Sequence, residues 1–451
     1  MTASPLLTIV LAAGKGTRMK SAMPKVLHKV AGRSMLGHVL AVAQSSRSDQ
    51  IAVVIGPRMD AVEKAAKADA PQSQIYIQPV QQGTADAVLA AREALDAHGG
   101  DVIVLYADTP LIREQTIARL RERLDMGAAV AVLGFRSNNP AEYGRLITGT
   151  KDELIAIREY KDANAAERAI DLCNSGVIAF RVPKLSSLLG RIGTANAKGE
   201  YYLTDAVELA RADGLSAAVV ECEEEEVLGV NARDHLAHAE AIWQRRRRNE
   251  LMQEGVTMIA PDTVFLSHDT QIARDVIVEP NVFFGLGVSV AEGAEIKSNC
   301  YLEGASVGAR ARIGPFARLR PGAKLAEDVH VGNFVEIKNV AMGPGAKANH
   351  LAYLGDGSVG AKANVGAGTI FCNYDGFNKT RTEIGDGAFI GSNSSLVAPV
   401  KIGAGAYVGS GSVITKDVSA GSLALERGTQ EERPGWAEKF RTMMGRRKAK
   451  S

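Results

Sequence analysis

Cysteine is scarce in this chain, and no two cysteines lie close together. Only four occur among the 451 residues, and they are Cys173, Cys222, Cys300 and Cys372. A disulfide scaffold needs a denser framework and a short-spaced zinc site needs a CxxC pair, so both are excluded. This usage fits a reducing environment, and we expect a cytoplasmic protein.

Long apolar runs and an excess of charge of one sign are also absent. No apolar run reaches the roughly 18 residues of a membrane span, and residues 1–10 lack the charged start and cleavage site of a signal peptide. The 53 Lys and Arg almost balance the 51 Asp and Glu. The arginine run 245–248 is therefore expected to be the solvated face of a helix. We expect neither a membrane nor a nucleic acid among the partners.

The sequence does have enough apolar residues for a folded protein, and its glycines are unevenly distributed. Hydrophobic residues make up 46% of the chain, and the length is typical of two or three domains. Of the 46 glycines, 18 lie in residues 1–254 and 28 in the shorter segment 255–451. The two halves are therefore expected to fold differently.

In the second half an apolar residue recurs every six positions, with occasional slips of phase. The series is Ile272, Val278, Phe284, Val290, Ile296, Leu302, Val307, Ile313, Leu319, Leu325, Val331, Ile337, Tyr353, Val359, Val365, Phe371, Ile384, Ile390, Leu396, Ile402, Val408 and Ile414. Three six-residue units make a triangular coil of about 18 residues, which predicts a parallel β-helix of hexapeptide repeats. Residues 338–352 and 372–383 break the repeat, and the second break is expected to loop out.

The first half alternates apolar strand patterns with helical ones. The strand-like runs are 6–13, 51–55, 75–77, 102–106 and 128–135, and helical patterns lie around 34–44, 84–97 and 115–125. This alternation predicts an α/β domain with a mostly parallel sheet, which binds its ligand at the carboxyl ends of the strands. The predicted division of the chain is an α/β domain at 1–230, a linker helix at 231–254, a β-helix at 255–425 and a tail at 426–451.

A glycine-rich turn, LAAGKGTRM at 11–19, follows the first strand. Its glycines let the backbone approach a phosphate, and Lys15 and Arg18 add positive charge. The turn matches neither the Walker A pattern nor GxGxxG, so alone it leaves a nucleotide site and an ordinary turn equally open. Lys25 alone is more typical of a surface charge. Asp108, just after the strand 102–106, fits either a Mg²⁺ ligand or a helix cap.

Together these segments resemble a known family. LAAGKGTRM followed by PKVL at 24–27 resembles the signature of sugar-phosphate nucleotidylyltransferases. With the hexapeptide repeats, NHLAYLGD at 349–356 and CNYDGFNK at 372–379, residues 6–430 are similar to the bacterial family of bifunctional N-acetylglucosamine-1-phosphate uridylyltransferases / glucosamine-1-phosphate N-acetyltransferases. The resemblance implies a Rossmann-like nucleotidyltransferase domain and a left-handed parallel β-helix.

For the first domain the resemblance implies uridylyl transfer from UTP to N-acetylglucosamine 1-phosphate, which makes a precursor of peptidoglycan and lipopolysaccharide. The implied cofactor is Mg²⁺, held by Asp108 and Asn231. The implied nucleotide and sugar contacts are Leu11, Ala12, Ala13, Gly14, Arg18, Lys25, Gln78, Gly83, Thr84, Gly144, Glu159, Asn174 and Asn231, with the segment 202–204 as a further candidate. Ala107 departs from the family's usual glycine and adds a methyl group beside the implied metal ligand.

For the β-helix the resemblance implies acetyl transfer from acetyl-CoA to the amine of glucosamine 1-phosphate, with His350 as the base. On the residues alone, a lone histidine is more often structural. The implied substrate contacts are Arg320, Lys338, Tyr353, Asn364 and Lys379, and the implied acetyl-CoA contacts are Ala367, Asn373, Tyr374, Ser392, Ser410 and Arg427. Asn373 and Tyr374 are also implied to hold the sugar and the reacting centre. Such sites usually form between copies of a chain, which implies a homotrimer.

Two other functions stay open at this point. One is a single-activity nucleotidylyltransferase whose β-helix serves only assembly, which His350 and Lys379 disfavour. The other is a non-catalytic sensor of sugar nucleotides, which Lys25 and Asp108 disfavour.

Overall fold

The computed structural model describes residues 4–14, 16–140, 142–149 and 153–448. Lys15, expected to add charge to the glycine-rich turn, lies outside the described residues. The chain forms two units, Met1–Arg247 and Arg248–Ser451.

The N-terminal unit alternates strands and helices along the chain. Its strands are β1 (Leu6–Leu11), β2 (Lys29–Val30), β3 (Arg33–Ser34), β4 (Gln50–Ile55), β5 (Gln74–Ile77), β6 (Asp101–Tyr106), β7 (Val130–Arg136), β8 (Arg145–Thr148), β9 (Leu154–Arg158), β10 (Leu172–Phe180) and β11 (Ala217–Cys222). Its helices are α1 (Met35–Ser45), α2 (Asp60–Asp69), α3 (Thr84–Leu89), α4 (Arg92–Ala97), α5 (Glu114–Asp125), α6 (Ala165–Arg168), α7 (Leu185–Leu189) and α8 (Asp205–Ala212). Short 3₁₀ turns lie at Thr17–Met19, Lys25–Leu27 and Glu224–Val227.

All of these strands except β2 and β3 build one mostly parallel sheet, as the alternation predicts, and β2 and β3 form a separate antiparallel pair. The strand order of the sheet is β11-β7-β10-β6-β1-β4-β5, with β8 and β9 attached beside β10. Strand β1 pairs in parallel with β4 and β6, whereas β10 runs antiparallel to β6 and β7. Leu7 and Ile9 belong to one apolar core, and Leu6 and Val10 belong to another. Because side chains alternate along a strand, these cores lie on opposite faces of the sheet. The predicted Rossmann-like sheet is confirmed.

Helix α9 (Arg233–Gln253) occurs where the linker helix is predicted. Its Ala239 is fully buried. The expectation that 245–248 form a solvated face is wrong for Arg248, which is buried and donates to the Asp262 carboxylate at 2.7 Å. At 3.6 residues per turn, four consecutive residues point to every side of a helix, so one of them must face the packed side.

The C-terminal unit stacks short parallel strands on three faces. The first face consists of β12 (Thr257–Met258), β14 (Ile277–Val278), β17 (Glu295–Ile296), β20 (Arg312–Ile313), β23 (His330–Asn333), β25 (Lys347–His350), β27 (Asn364–Val365), β30 (Phe389–Ile390), β33 (Tyr407–Val408) and β35 (Leu423–Ala424). The second consists of β15 (Phe283–Phe284), β18 (Tyr301–Leu302), β21 (Arg318–Leu319), β28 (Ile370–Cys372), β31 (Ser395–Val397) and β34 (Val413–Ile414). The third consists of β13 (Gln271–Ile272), β16 (Ser289–Val290), β19 (Ser306–Val307), β22 (Lys324–Leu325), β29 (Thr382–Ile384) and β32 (Val400–Ile402). Strands β24 (Glu336–Met342) and β26 (Tyr353–Val359) pair on both the second and third faces.

Apolar side chains fill the interior of this stack. Every position of the six-residue series is buried except Tyr353, which is half-buried because the phase slips by one residue and Leu354 takes the interior place. Residues 338–352 stay in the coil as parts of β24 and β25, whereas residues 373–381 leave it as predicted. The unit is a parallel β-helix of hexapeptide repeats, consistent with the left-handed form.

A last helix, α10 (Trp436–Lys448), follows the β-helix, and none of its residues is buried. The rings of Trp436 and Phe440 stack with centroids 5.0 Å apart. Among the described residues, no helix combines the length and apolar character needed to cross a bilayer.

Candidate active sites

A cavity of about 370 Å³ opens where β1 and β6 end. Leu11 and Tyr106, the last residues of these strands, are paired in register. The cavity is lined by Leu11, Ala12, Ala13, Gly14, Lys25, Val26, Gln78, Gln81, Gly83, Thr84, Ala87, Tyr106, Asp108 and Glu200. Most of the implied nucleotide contacts therefore meet at the carboxyl edge of the sheet, where such sheets bind ligands.

The two glycines of the turn have different roles. A Cβ on Gly14 would meet no atom within 4 Å, so the backbone there is open to a ligand. Gly16 has a φ of +61°, and a Cβ on it would collide with the side chain of Lys25. Glycine at this position therefore lets Lys25 approach the turn. Arg18 is exposed and does not line the cavity.

Lys25, Asp108 and Asn231 form a hydrogen-bonded cluster. The Nζ of Lys25 lies 2.5 Å from Oδ2 of Asp108 and 3.1 Å from Oδ1 of Asn231. The Asp108 carbonyl also accepts the N–H of Val230 at 2.9 Å, which holds the two segments together. Asp108 does not cap α5, which begins at Glu114.

The oxygens of Asp108 and Asn231 suit Mg²⁺, which prefers oxygen ligands. They already converge on a cation, the Lys25 ammonium. Within the described part of the chain, no group of three or more His, Cys, Asp or Glu side chains could hold a metal. The pair therefore fits an ion that takes the rest of its ligands from substrate phosphates and water, which is the usual mode for Mg²⁺.

The wall around the start of α3 is held by buried polar groups. Gln78 is buried, and its Nε2 donates to the Asp86 carboxylate at 2.7 Å and to the Gly83 carbonyl at 3.1 Å. Gly83 has a φ of +134°, and a Cβ there would collide with the backbone of Tyr201. The hydroxyl of Thr84, the next residue, accepts a hydrogen bond from a backbone N–H at 2.9 Å.

Sequence reasoning missed Gln81, Tyr106 and Glu200 in this cavity. The Nε2 of Gln81 donates to the Ala13 carbonyl and so ties the wall to the glycine-rich turn. Burial, reinforced by the Asp108 carboxylate, raises the pKa of Tyr106, which therefore stays a protonated donor. Tyr106 could have been found, because it ends the strand just before Asp108.

Gly144, Glu159 and Asn174 lie together beside this cavity. The N–H of Asn174 donates to the Gly144 carbonyl at 2.8 Å, and a Cβ on Gly144 would lie 3.5 Å from Oε1 of Glu159. The Thr204 hydroxyl donates to Glu159 at 3.4 Å. Burial raises the pKa of Glu159. The charge of Glu159 also acts on Tyr106, which lines the cavity.

Ala107 belongs to the core rather than to the cavity. It is fully buried in the apolar cluster that includes Val10 and Ile103. Its N–H donates to the Leu11 carbonyl at 3.0 Å. The methyl group that departs from the family's glycine therefore packs into the core.

The first corner of the β-helix, between its first and second faces, carries one column of residues. Strand register and backbone hydrogen bonds place there, coil after coil, Asn333, His350, Ala367, Ser392 and Ser410. The Arg427 guanidinium donates to the Ser410 carbonyl at 3.1 Å. His350 is exposed on this column. The implied base and several implied acetyl-CoA contacts therefore form a continuous line.

The second corner, between the second and third faces, carries a cluster around Asp356. Its buried carboxylate accepts hydrogen bonds from Asn373 at 2.5 Å, Asn339 at 2.8 Å and the Lys338 ammonium at 3.2 Å. Burial alone would raise the pKa of Asp356, but these bonds hold it below its usual value. Sequence reasoning had not selected Asp356, although it ends the segment NHLAYLGD.

Arg320 and Tyr353, two further implied substrate contacts, lie near the Asp356 cluster. Register places Glu336 beside Tyr353 and Lys338 beside Gly355 on the second face. The Arg320 guanidinium donates to the Glu336 carboxylate at 2.7 Å. Arg320, Lys338 and Tyr353 are therefore brought together, and Glu336 is a member that sequence reasoning missed.

The loop 373–381 presents Tyr374 and Lys379, which form an isolated antiparallel bridge. Asp375 closes the loop by accepting two backbone N–H groups at 2.6 and 2.8 Å. Phe377 at its tip is 92% exposed. The loop is therefore a hairpin closed by hydrogen bonds, and its polar side chains from Tyr374 to Lys379 are exposed.

The two corners remain separate groups within one chain. Among residues 153–448, no hydrogen bond or ion pair joins the first-corner column to the Asp356 cluster. Asn364 lies on the first face beside Lys347. The implied acetyltransferase residues therefore do not form a single constellation in one copy.

Comparison with known proteins agrees with the division of the chain into an N-terminal and a C-terminal unit. Residues 8–175 match the MobA-like NTP transferase domain, and residues 381–416 match the bacterial transferase hexapeptide (six repeats). Three similar proteins are each called bifunctional protein GlmU. The one from Azorhizobium caulinodans is 58% identical over 99% of this chain and 100% of its own. Those from Xanthobacter autotrophicus and Paramagnetospirillum magneticum are 56% and 54% identical, over 98% and 100% of both chains.

Proposed function

The chain belongs to the family of the bifunctional protein GlmU, and on that basis we propose that it catalyses two successive group transfers. The β-helix transfers acetyl from acetyl-CoA to the amine of glucosamine 1-phosphate. The N-terminal unit then transfers uridylyl from UTP to N-acetylglucosamine 1-phosphate and releases pyrophosphate. The product supplies peptidoglycan and lipopolysaccharide synthesis in the cytoplasm. The observation that carries this proposal is that each unit brings implied site residues together, in the cluster of Lys25, Asp108 and Asn231 in the first unit and in the two corner groups of the β-helix in the second.

In uridylyl transfer, an oxygen of the sugar phosphate attacks the α-phosphorus of UTP. The new O–P bond forms as the bond to the bridging oxygen breaks, and pyrophosphate leaves with the bonding electrons. A phosphate monoester is already anionic near neutral pH, so no general base is needed. The barrier is the repulsion between anions, and catalysis consists mainly of positioning and charge neutralisation.

The cavity supplies both positioning and charge neutralisation. The turn from Leu11 to Gly14 contacts the nucleotide, and Lys25 neutralises phosphate charge within the cavity. In this proposal Arg18, which is exposed, adds its positive charge from outside the cavity lining. Gln78, Gly83 and Thr84 hydrogen-bond the uracil. The sugar lies against Gly144, Glu159, Asn174 and the segment 202–204.

Asp108 and Asn231 hold Mg²⁺ in this proposal. The ion would neutralise phosphate charge beside Lys25 when it is bound. The convergence of both oxygens on the Lys25 ammonium supports this site.

In acetyl transfer, the neutral amine of glucosamine 1-phosphate attacks the carbonyl carbon of acetyl-CoA. The N–C bond forms, the C–S bond breaks, and His350 takes the proton from nitrogen and returns it to the departing thiolate. Ala367, Ser392, Ser410 and Arg427 bind acetyl-CoA along the first corner. Arg320, Lys338 and Lys379 bind the sugar phosphate. Tyr353, Asn364, Asn373 and Tyr374 surround the sugar and the reacting centre.

The protein acts as a homotrimer in this proposal. The base and the sugar-phosphate contacts lie at different corners of one chain, so packing of β-helices side by side would bring one copy's first corner to another's second corner. Exposed aromatic rings stacked along the outside support such packing, with centroids 5.0 Å apart for Phe283 and Tyr301 and 5.3 Å for Phe389 and Tyr407.

One assay tests both activities. The purified protein is incubated with glucosamine 1-phosphate, acetyl-CoA, UTP and Mg²⁺, and free thiol and pyrophosphate are followed together. We expect both products, and chelation of Mg²⁺ should stop pyrophosphate release without affecting thiol release. Pyrophosphate only when N-acetylglucosamine 1-phosphate is supplied, with no thiol at any time, would mean that the β-helix is only a scaffold.

A further inference from the structure

Asn333 lies directly beside His350 on the first corner. The two residues are paired in register on β23 and β25, one coil apart. The N–H of Leu351 donates to the Asn333 carbonyl at 3.0 Å, which ties the backbone after His350 to Asn333. A Cβ on Gly332 would collide with the carbonyl of Asn349, so glycine at this position permits the close approach of the two strands. The backbone therefore holds Asn333 and His350 side by side on adjacent coils.

The side chains are joined by a short hydrogen bond. Oδ1 of Asn333 lies 2.6 Å from Nδ1 of His350. An amide oxygen only accepts, so the proton of a neutral imidazole must lie on Nδ1. The lone pair is then on Nε2, the nitrogen that points away from this bond.

We propose that Asn333 is a positioning residue for acetyl transfer, because it holds His350 in the tautomer and orientation that leave Nε2 free to take the amine proton. This inference rests on the proposed role of His350 as the base. A base needs its lone pair within reach of the proton it removes, and the bond made by the other ring nitrogen decides which nitrogen that is. The amide does this without adding charge, unlike a carboxylate partner.

Three variants test the inference in the full chain. Asn333→Leu keeps the bulk but removes the acceptor, Asn333→Asp keeps an acceptor, and His350→Gln removes the base. We expect Asn333→Leu to lower kcat of acetyl transfer by about 10-fold or more while both KM values change little. Asn333→Asp should restore part of that loss. Pyrophosphate release from UTP and N-acetylglucosamine 1-phosphate should not change, and thermal unfolding of each variant, expected to match the wild type, serves as the control for folding of the β-helix.

A spectroscopic readout separates positioning from general damage. Side-chain ¹⁵N NMR of labelled histidines, with His350→Gln used for assignment, should show the Nδ1–H tautomer in the wild-type protein and in Asn333→Asp. It should show an increased fraction of Nε2–H in Asn333→Leu. Unchanged kcat and tautomer in Asn333→Leu would overturn the inference. Acetyl transfer that survives His350→Gln would instead contradict the proposed base, whatever Asn333 does.

Discussion

The ammonium of Lys25 lies 2.5 Å from the carboxylate of Asp108, although 83 residues separate them in the chain. Asn231 joins the same cluster at 3.1 Å. A lysine and an acid that each suggest little alone thus become a charge centre at the carboxyl edge of the sheet. This cluster is where phosphate charge would be balanced.

Asp108→Asn should abolish uridylyl transfer and spare acetyl transfer. The amide keeps the shape but removes the negative charge that holds both Lys25 and a divalent ion, so we expect pyrophosphate release to fall by about 100-fold or more. Asp125→Asn is the matched control, because Asp125 is exposed and lies away from the cavity. Its carboxylate forms an ion pair with Arg181, with an N···O distance of 2.7 Å. Equal losses in both variants would contradict the assignment.

Glu159→Gln should stabilise the protein while weakening sugar binding. Burial raises the pKa of Glu159, so the folded chain binds its proton more tightly than the unfolded chain. Glu159 therefore contributes to the stability of the fold at low pH, where its carboxyl is protonated, and this contribution is lost as pH rises through the raised pKa. At pH 7 the glutamine variant avoids the cost of burying the Glu159 carboxylate, and its Tm should exceed that of the wild type.

Thermal unfolding between pH 4 and about 8 measures this effect. The Tm difference between Glu159→Gln and wild type should shrink as pH falls, while KM for N-acetylglucosamine 1-phosphate should be higher in the variant. Glu63→Gln, at an exposed position on α2, should show neither change. A Tm difference that does not depend on pH would count against burial as the cause.

Gly144→Ala should impair substrate binding without harming the fold. The added Cβ would lie 3.5 Å from Asn174 and Glu159, which is ordinary contact, but it would occupy space where we place the sugar. We expect KM for the sugar phosphate to rise roughly 10-fold, since one carbon in a shaped pocket has an effect of this size. Gly99→Ala, which meets no atom within 4 Å, should leave both Tm and KM unchanged.

Gly332→Ala should damage the β-helix and the acetyl reaction together. Its Cβ would collide with the Asn349 carbonyl beside His350, and the coil would have to shift. Overpacking of this kind costs about 1–3 kcal/mol. Thiol release should fall while pyrophosphate release persists, and Gly428→Ala, with open space around it, is the control. Full acetyltransferase activity in Gly332→Ala would contradict the close packing described here.

The sequence predicts both folds well because each rests on a periodic pattern. The six-residue series locates the interior of the β-helix, and its one error, Tyr353, falls where the phase slips by one residue. Alternating apolar runs likewise locate the strands of the sheet. Such patterns can be recognised within a short stretch of sequence, because the polarity of each residue reflects whether it is buried.

The partners of the site residues could not be predicted in the same way. Asp356 and Asn333 form hydrogen bonds with residues one coil away, and residues so far apart in the sequence come into contact only after the chain coils. Gln81 has no periodic signal, and its place in the cavity is evident only from its hydrogen bond to the Ala13 carbonyl in a distant turn. Arg248 shows the reverse error, because a charged run gives no sign of which member faces the packed side.

The most direct test is to mix two single-site variants. Asp108→Asn and His350→Gln are each incubated with glucosamine 1-phosphate, acetyl-CoA, UTP and Mg²⁺, separately and together, and the uridine diphosphate sugar is measured. Two independent sites in one chain predict no acetylated sugar nucleotide from either variant alone and its formation by the mixture, as N-acetylglucosamine 1-phosphate diffuses from one protein to the other. Formation of that product by either variant alone, or none from the mixture, would contradict the assignment of one reaction to each unit.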